Sequence, residues 1–97
     1  MGNDTAALDP DVLSGPLSVR PPRAGDRFQP LGMEGTAKVA ELLVNLHVPR
    51  AARSRWPLVS AGDQIAWVAG LRMAHPARLT AHSRRAIILH LIPPEGK

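Results

Sequence analysis

Apolar positions recur along the chain in three different rhythms, and each predicts a different kind of element. In "TAKVAELLVNLHV", Val39, Leu42, Leu43 and Leu46 fall at i, i+3, i+4 and i+7, the apolar stripe of an amphipathic helix, while Lys38, Glu41 and Asn45 take the other face. Thr36 is the expected N-cap, because its side-chain oxygen can accept one of the orphan amides of the first turn. Pro49 suits the first position of a second, short helix, "PRAARSRW", closed by Pro57, with Arg50 and Arg53 one turn apart on one side. A period of two appears at "LSVR", Leu17 to Arg20, a first strand stopped by Pro21 and Pro22. It returns in "PLVSAGDQIAWVAGLRM", two strands joined by the turn at residues 61 to 63, with Ile65 and Trp67 facing inward and Gly70 bending or bulging the second strand. The third rhythm has no alternation: Ala86 to Ile92 is nearly all apolar, which predicts a strand that is central or covered on both faces.

The resulting order of strand, two helices and three strands predicts a small α+β domain, two short helices packed on a mostly antiparallel sheet. Residues 1–16 are polar and acidic and are marked by Pro10, Gly15 and Pro16. They are expected to form a flexible tail or linker outside the core, which leaves 17–97 as the domain. No internal repeat is present. Between the first strand and the first helix lies "RPPRAGDRFQPLGMEG", where prolines fix φ and remove amide donors while Gly25, Gly32 and Gly35 permit turns. This segment also holds the only phenylalanine. A rigid loop is expected, with Phe28 anchored in the core and Arg23 and Arg27 aimed at a partner or holding the loop through Asp26. Asp26 is expected to pair with a neighbouring arginine or to bond turn amides. For Trp56, Trp67 and Phe28 the expectation is core packing.

Composition narrows the chemistry. Without cysteine there is no disulfide, thiolate metal site or cysteine nucleophile, which suits a reducing cytosol. The apolar runs fall well short of the roughly 20 residues that span a bilayer. The N-terminus is not a signal peptide, and Ala6 stands where a myristoylation site wants Ser or Thr. A soluble, cytoplasmic protein is expected. Phosphate-binding P-loop, GxGxxG and HExxH patterns are all missing, His47, His75, His82 and His90 stand alone, and no serine has a nucleophile's context. The isolated chain is therefore expected to be no enzyme and to hold no metal.

Charge points elsewhere. Asp4, Asp9 and Asp11 lie in the first sixteen residues without a base, whereas residues 17–97 carry all twelve bases, ten of them arginine, against five acids. Arginine keeps its charge and presents a planar fork of donors that matches phosphate, so this part of the chain is biased toward a polyanion. The candidate binding set is Arg20, Arg23 and Arg27 from the loop, Lys38 at the start of the first helix, Arg50, Arg53 and Arg55 from the second, and Arg72 with Arg78 from the hairpin region. The amides around "GMEGTAK" are a further candidate anion cradle.

Several ordered motifs then fall into one register: Gly25, Asp26, Arg27 and Phe28; Pro30 and Gly32; Gly35 and Lys38; Val48, Pro49 and Arg50; Pro57; and Trp67, Val68, Gly70 and Arg72. Over about residues 17 to 92 this pattern resembles the C-terminal domain of tRNA(Ile)-lysidine synthetase. The resemblance implies a tRNA-binding module related to one in the β subunit of phenylalanyl-tRNA synthetase. It implies a partner, the isoleucine tRNA with a CAU anticodon, engaged at its acceptor region, and a catalytic N-terminal domain that is absent from this sequence. That domain would use ATP to adenylate the wobble cytidine and lysine to displace AMP, making the parent enzyme a carbon–nitrogen ligase while the domain itself needs no cofactor. One departure is visible: relatives often carry tandem lysines before the helix, where this chain has Ala37 and Lys38. The competing expectation is a protein-interaction domain docked on its own catalytic half, its arginines engaged in salt bridges there.

Overall fold

The computed structural model describes residues 4–92. Its elements are β1 (Thr5–Leu8), β2 (Leu17–Arg20), β3 (Arg27–Phe28), β4 (Ala37–Lys38), α1 (Val39–Asn45), α2 (Arg50–Arg53), β5 (Leu58–Ala61), β6 (Gln64–Val68), β7 (Arg72–Met73) and β8 (Ile87–His90). Short 3-10 turns lie at Pro10–Val12 and His75–Ala77. The expected α+β architecture is present, with every strand pair antiparallel.

A four-stranded sheet in the order β2-β5-β6-β7 forms the centre. Its core is the hairpin β5–β6, where Leu58, Val59, Ile65, Ala66, Trp67 and Val68 are all buried. Both faces of these two strands are covered, so β-branched and aromatic residues fill positions that an open sheet would leave polar. The register shifts where Val59 faces Trp67 and Ser60 faces Ile65, so Ala66 is the extra residue and the bulge lies on β6 itself, four residues before the Gly70 where it was expected. Gly70 itself, at φ +74°, occupies the turn between β6 and β7. Trp56 is half-buried and donates its indole N–H to the Ala69 carbonyl at 2.9 Å, which ties the exit of α2 to the end of β6. Phe28, Trp56 and Trp67 pack with the core as expected.

α1 buries Val39 and Leu43 and begins two residues later than a Thr36 cap predicts, with Lys38 at the N-cap position. Ala37 and Lys38 pair with Phe28 and Arg27 as a short ladder, and strand pairing holds them extended until Val39. The helix ends in a Schellman arrangement. The Val48 amide donates to the Leu43 carbonyl and the His47 amide to the Val44 carbonyl, both at 3.0 Å, with His47 at φ +62°.

Two expectations are corrected. Within the segment expected to be a tail, residues 4–16 are part of the fold: Thr5–Leu8 pairs with Ile87–His90, and Ala6 and Leu8 alternate into the core, Leu8 at 0% exposure. Buried Asp9 accepts the Asp11 amide at 2.9 Å and the Ser83 hydroxyl at 2.8 Å, and Asp11 pairs with Arg85. Asp9 and Asp11 are thus engaged internally, and the segment is pinned to β8 and the turn before it. Conversely, Ala86 to Ile92 does not supply a central strand. β8 pairs only with β1, in a separate two-stranded sheet, and its burial alternates, with Ile88 53% exposed.

Candidate functional site

The topology places α2's exit, the end of β2 and the β6–β7 turn at one end of the four-stranded sheet. Arg20 is the register partner of Leu58, Leu58 of Val68, and Val68 of Arg72, so one row of backbone crosses the sheet from Arg20 to Arg72. Three strand spacings separate its ends, about 14 Å. The segments just outside this row carry Arg23, after β2, and Arg55, before β5.

Arg20 is the residue the loop is built on. Its guanidinium grips Asp26 with two parallel bonds, Nη1 to Oδ2 at 2.9 Å and Nη2 to Oδ1 at 3.0 Å, and Nη1 also reaches the Pro21 carbonyl at 3.0 Å. Both side chains are only 13% exposed. The Asp26 carboxylate further accepts the Arg23 amide at 2.7 Å, and the Asp26 amide closes onto the Arg23 carbonyl at 3.1 Å. Gly25, at φ +86°, supplies the left-handed third position of this turn. The Arg20 bond, assisted by the Arg23 amide and by the nearby positive charges, holds the Asp26 carboxyl below its ordinary value despite the opposing cost of burial. The same bond raises the Arg20 guanidinium. Arg20 therefore shapes the loop, and its forks are not free for a ligand.

Arg27 and Lys38 stand directly opposite each other in the β3–β4 ladder, both exposed, while their neighbours Phe28 and Ala37 turn inward. Directly opposed residues share a face, and like charges there are destabilising by a few tenths of a kcal/mol to about 1 kcal/mol. Arg27 is further steadied by Thr36, whose hydroxyl accepts from Nε at 3.3 Å and Nη2 at 3.2 Å. Thr36 thus serves as an arginine holder and not as a helix cap. The expected cradle at the helix start is taken up in part from within, because the Val39 amide donates to the Asp26 carbonyl at 3.0 Å. Among the described residues only Arg20 and Arg85 form ion pairs, leaving Arg27 and Lys38 without a carboxylate.

The remaining candidates divide by exposure. Arg23, Arg50, Arg55 and Arg72 are exposed. Arg53 turns back to donate Nε to the Val48 carbonyl at 3.0 Å, and half-buried Arg78 donates to the His75 carbonyl at 2.9 Å. Arg50 and Arg53 thus share a short helix but do not form a matched pair. Arg72 and Leu31 line the same depression of about 210 Å³, which joins the β7 edge to the Gly/Pro loop. Arg84, outside the set that the sequence pointed to, is exposed as well. The signal for Thr36 was absent: nothing in a threonine nine residues from an arginine announces the bond between them.

The family described as "TilS substrate C-terminal domain" matches residues 17–88. Among curated relatives, the tRNA(Ile)-lysidine synthase of Symbiobacterium thermophilum is 44% identical over 85 residues, covering 88% of this chain and 18% of that protein. The tRNA(Ile)-lysidine synthase of Geobacter sulfurreducens is 39% identical over 84 residues, covering 87% of this chain and 18% of its own. The chain thus spans less than a fifth of the length of these relatives. A solved structure titled "Crystal structure of TILS C-terminal domain" superposes with a TM-score of 0.82 at 38% identity, covering 93% of this chain and 70% of that one.

Proposed function

The chain belongs to the TilS substrate C-terminal domain family, and from that premise we propose that it is the tRNA-binding module of an ATP-dependent tRNA(Ile)-lysidine synthase. In this reading it holds the acceptor region of the isoleucine tRNA with a CAU anticodon. A catalytic N-terminal domain meanwhile uses ATP and lysine to convert the wobble cytidine to lysidine in the cytoplasm. The domain contributes position and not chemistry. A-form RNA presents phosphates and 2′-hydroxyls across a shallow minor groove and is met mainly by shape, so a rigid basic surface suits it without base-specific contacts.

The observation that carries this reading is the Arg27–Lys38 pair. Two cations facing each other on a two-residue ladder, with no carboxylate between them among the described residues, cost stability in the free protein. A phosphate bridging them would reverse the sign of that term. Exposed Arg23, Arg50, Arg55 and Arg72 supply further charge, and the Arg20–Asp26 clamp keeps the loop in shape.

The test is a double variant, Arg27→Ala with Lys38→Ala. Its thermal stability should stay within about 0.5 kcal/mol of the parent, as surface changes usually do. Its affinity for a tRNA(Ile) acceptor-stem hairpin should fall, with the salt slope shallower by about two, one for each lost phosphate contact. Unchanged RNA affinity would overturn the assignment and favour docking of this surface on the catalytic half.

A further inference from the structure

The Pro30–Met33 turn leans on the segment after β7 through three bonds. The Leu31 amide donates to the Met73 carbonyl at 2.9 Å, the His75 amide donates to the Gln29 carbonyl at 2.7 Å, and the Gly32 amide donates to the His75 ring at Nδ1, 3.1 Å. The turn closes on itself by Met33 N–H to the Pro30 carbonyl at 3.0 Å, with Gly32 at φ +84° and the Gln29 side-chain amide reaching the Met33 carbonyl at 2.6 Å. Its tip exposes two apolar side chains, Leu31 and Met33. Of the three fastening bonds, only the His75 ring can lose its acceptor by gaining a proton.

A backbone amide can only donate, so Nδ1 must be the bare nitrogen and the ring must be neutral with its proton on Nε2. We infer that His75 is a positioning residue for RNA binding, a proton-sensitive latch that holds the Leu31–Met33 turn against the sheet beside Arg72. This inference rests on the RNA-binding reading for its purpose, but the latch itself does not. Protonating Nδ1 places two N–H groups face to face, breaks the bond to Gly32 and frees the turn's tip. The charged groups on the surrounding elements are Arg72 on β7, Arg78 beyond the 3-10 turn, Glu34 past the loop, and Asp9 and Asp11 around the neighbouring 3-10 turn. Arg27 and Asp63 lie across the depression that Ala74 and Pro76 line. Among the described residues none of these forms an ion pair with the His75 ring.

The test follows the Gly32 amide and the His75 ring by NMR from pH 8 to pH 5 in the wild-type chain, His75→Ala and His75→Asn. Asparagine places an acceptor near the Nδ1 position and does not titrate. In the wild type the Gly32 amide should shift and lose exchange protection with the same midpoint as the ring. In His75→Asn it should stay protected at every pH, and in His75→Ala it should be unprotected at every pH. At pH 8 His75→Ala should bind the acceptor-stem hairpin about threefold to tenfold more weakly, the range that one lost hydrogen bond spans, with His75→Asn restoring it. A Gly32 amide that stays unmoved while the ring titrates, or an asparagine variant that behaves as alanine, overturns the latch. If the Gly32 amide responds as stated but RNA affinity is the same in all three proteins, the positioning role is overturned. If the wild type binds no RNA, the functional reading fails as well, and the amide titration still decides the latch.

Discussion

Asp26 connects more of the loop than any other side chain in it. Its carboxylate joins Arg20 to the Arg23 amide, and its carbonyl receives the first amide of α1. Replacing it with asparagine removes the charge while keeping the shape. The expected cost is roughly 2 kcal/mol, within the range of hydrogen bonds to charged groups, read as a shift in the urea midpoint. The sign with pH follows from the lowered folded-state value. Above the unfolded carboxyl value, ordinarily about 3.9, the clamp's contribution is fully present, and it is lost as pH falls through the lower folded value. The wild type should therefore lose stability more steeply than Asp26→Asn below about pH 4. The pairing of Asp26 with an arginine was legible because a short acid in a Gly/Pro turn flanked by three arginines has few other uses. That the partner is Arg20, and that Arg20 is thereby withdrawn from the binding set, was not, because bidentate geometry depends on how β2 delivers its last side chain.

At the scale of elements, the hairpin β5–β6 was readable because a Gly-Asp turn sits between two apolar runs, and the register it forces leaves little choice. The two-stranded sheet β1–β8 was not. "TAAL" lacks the β-branched density of a strand and is followed by acids and a proline, while "AIILHLI" is apolar on both faces although only one is covered. Sequence records what a strand can bury, and the partner decides what it does bury. Leu8→Ala tests the corrected boundary: it should cost about 3 kcal/mol, as truncation of a fully buried leucine does, whereas a tail residue would cost nothing measurable. The end of α1 offers a gain. His47 occupies the left-handed position that glycine prefers, so His47→Gly should raise stability by about 1 kcal/mol, visible as a higher thermal midpoint.

Across the whole molecule, Asp9 and Asp11 are spent on Ser83 and Arg85, while the loop, the β3–β4 ladder, α2 and the β7 edge keep exposed cations. The basic bias was plain from composition, but which arginines are held inside and which face outward required the packing, since Arg20, Arg53 and Arg78 all turn back onto their own chain. The central claim is that the outward-facing set positions an RNA helix. The most direct measurement is a fluorescence anisotropy titration of the chain with a labelled tRNA(Ile) acceptor-stem hairpin and, separately, a DNA duplex of equal length, repeated over a salt series. The account predicts tighter binding to the RNA, with log K falling against log salt at a slope of about −4 to −5, as neutralising roughly five phosphates requires. Equal affinity for both duplexes, or no binding to either at low salt, would contradict it.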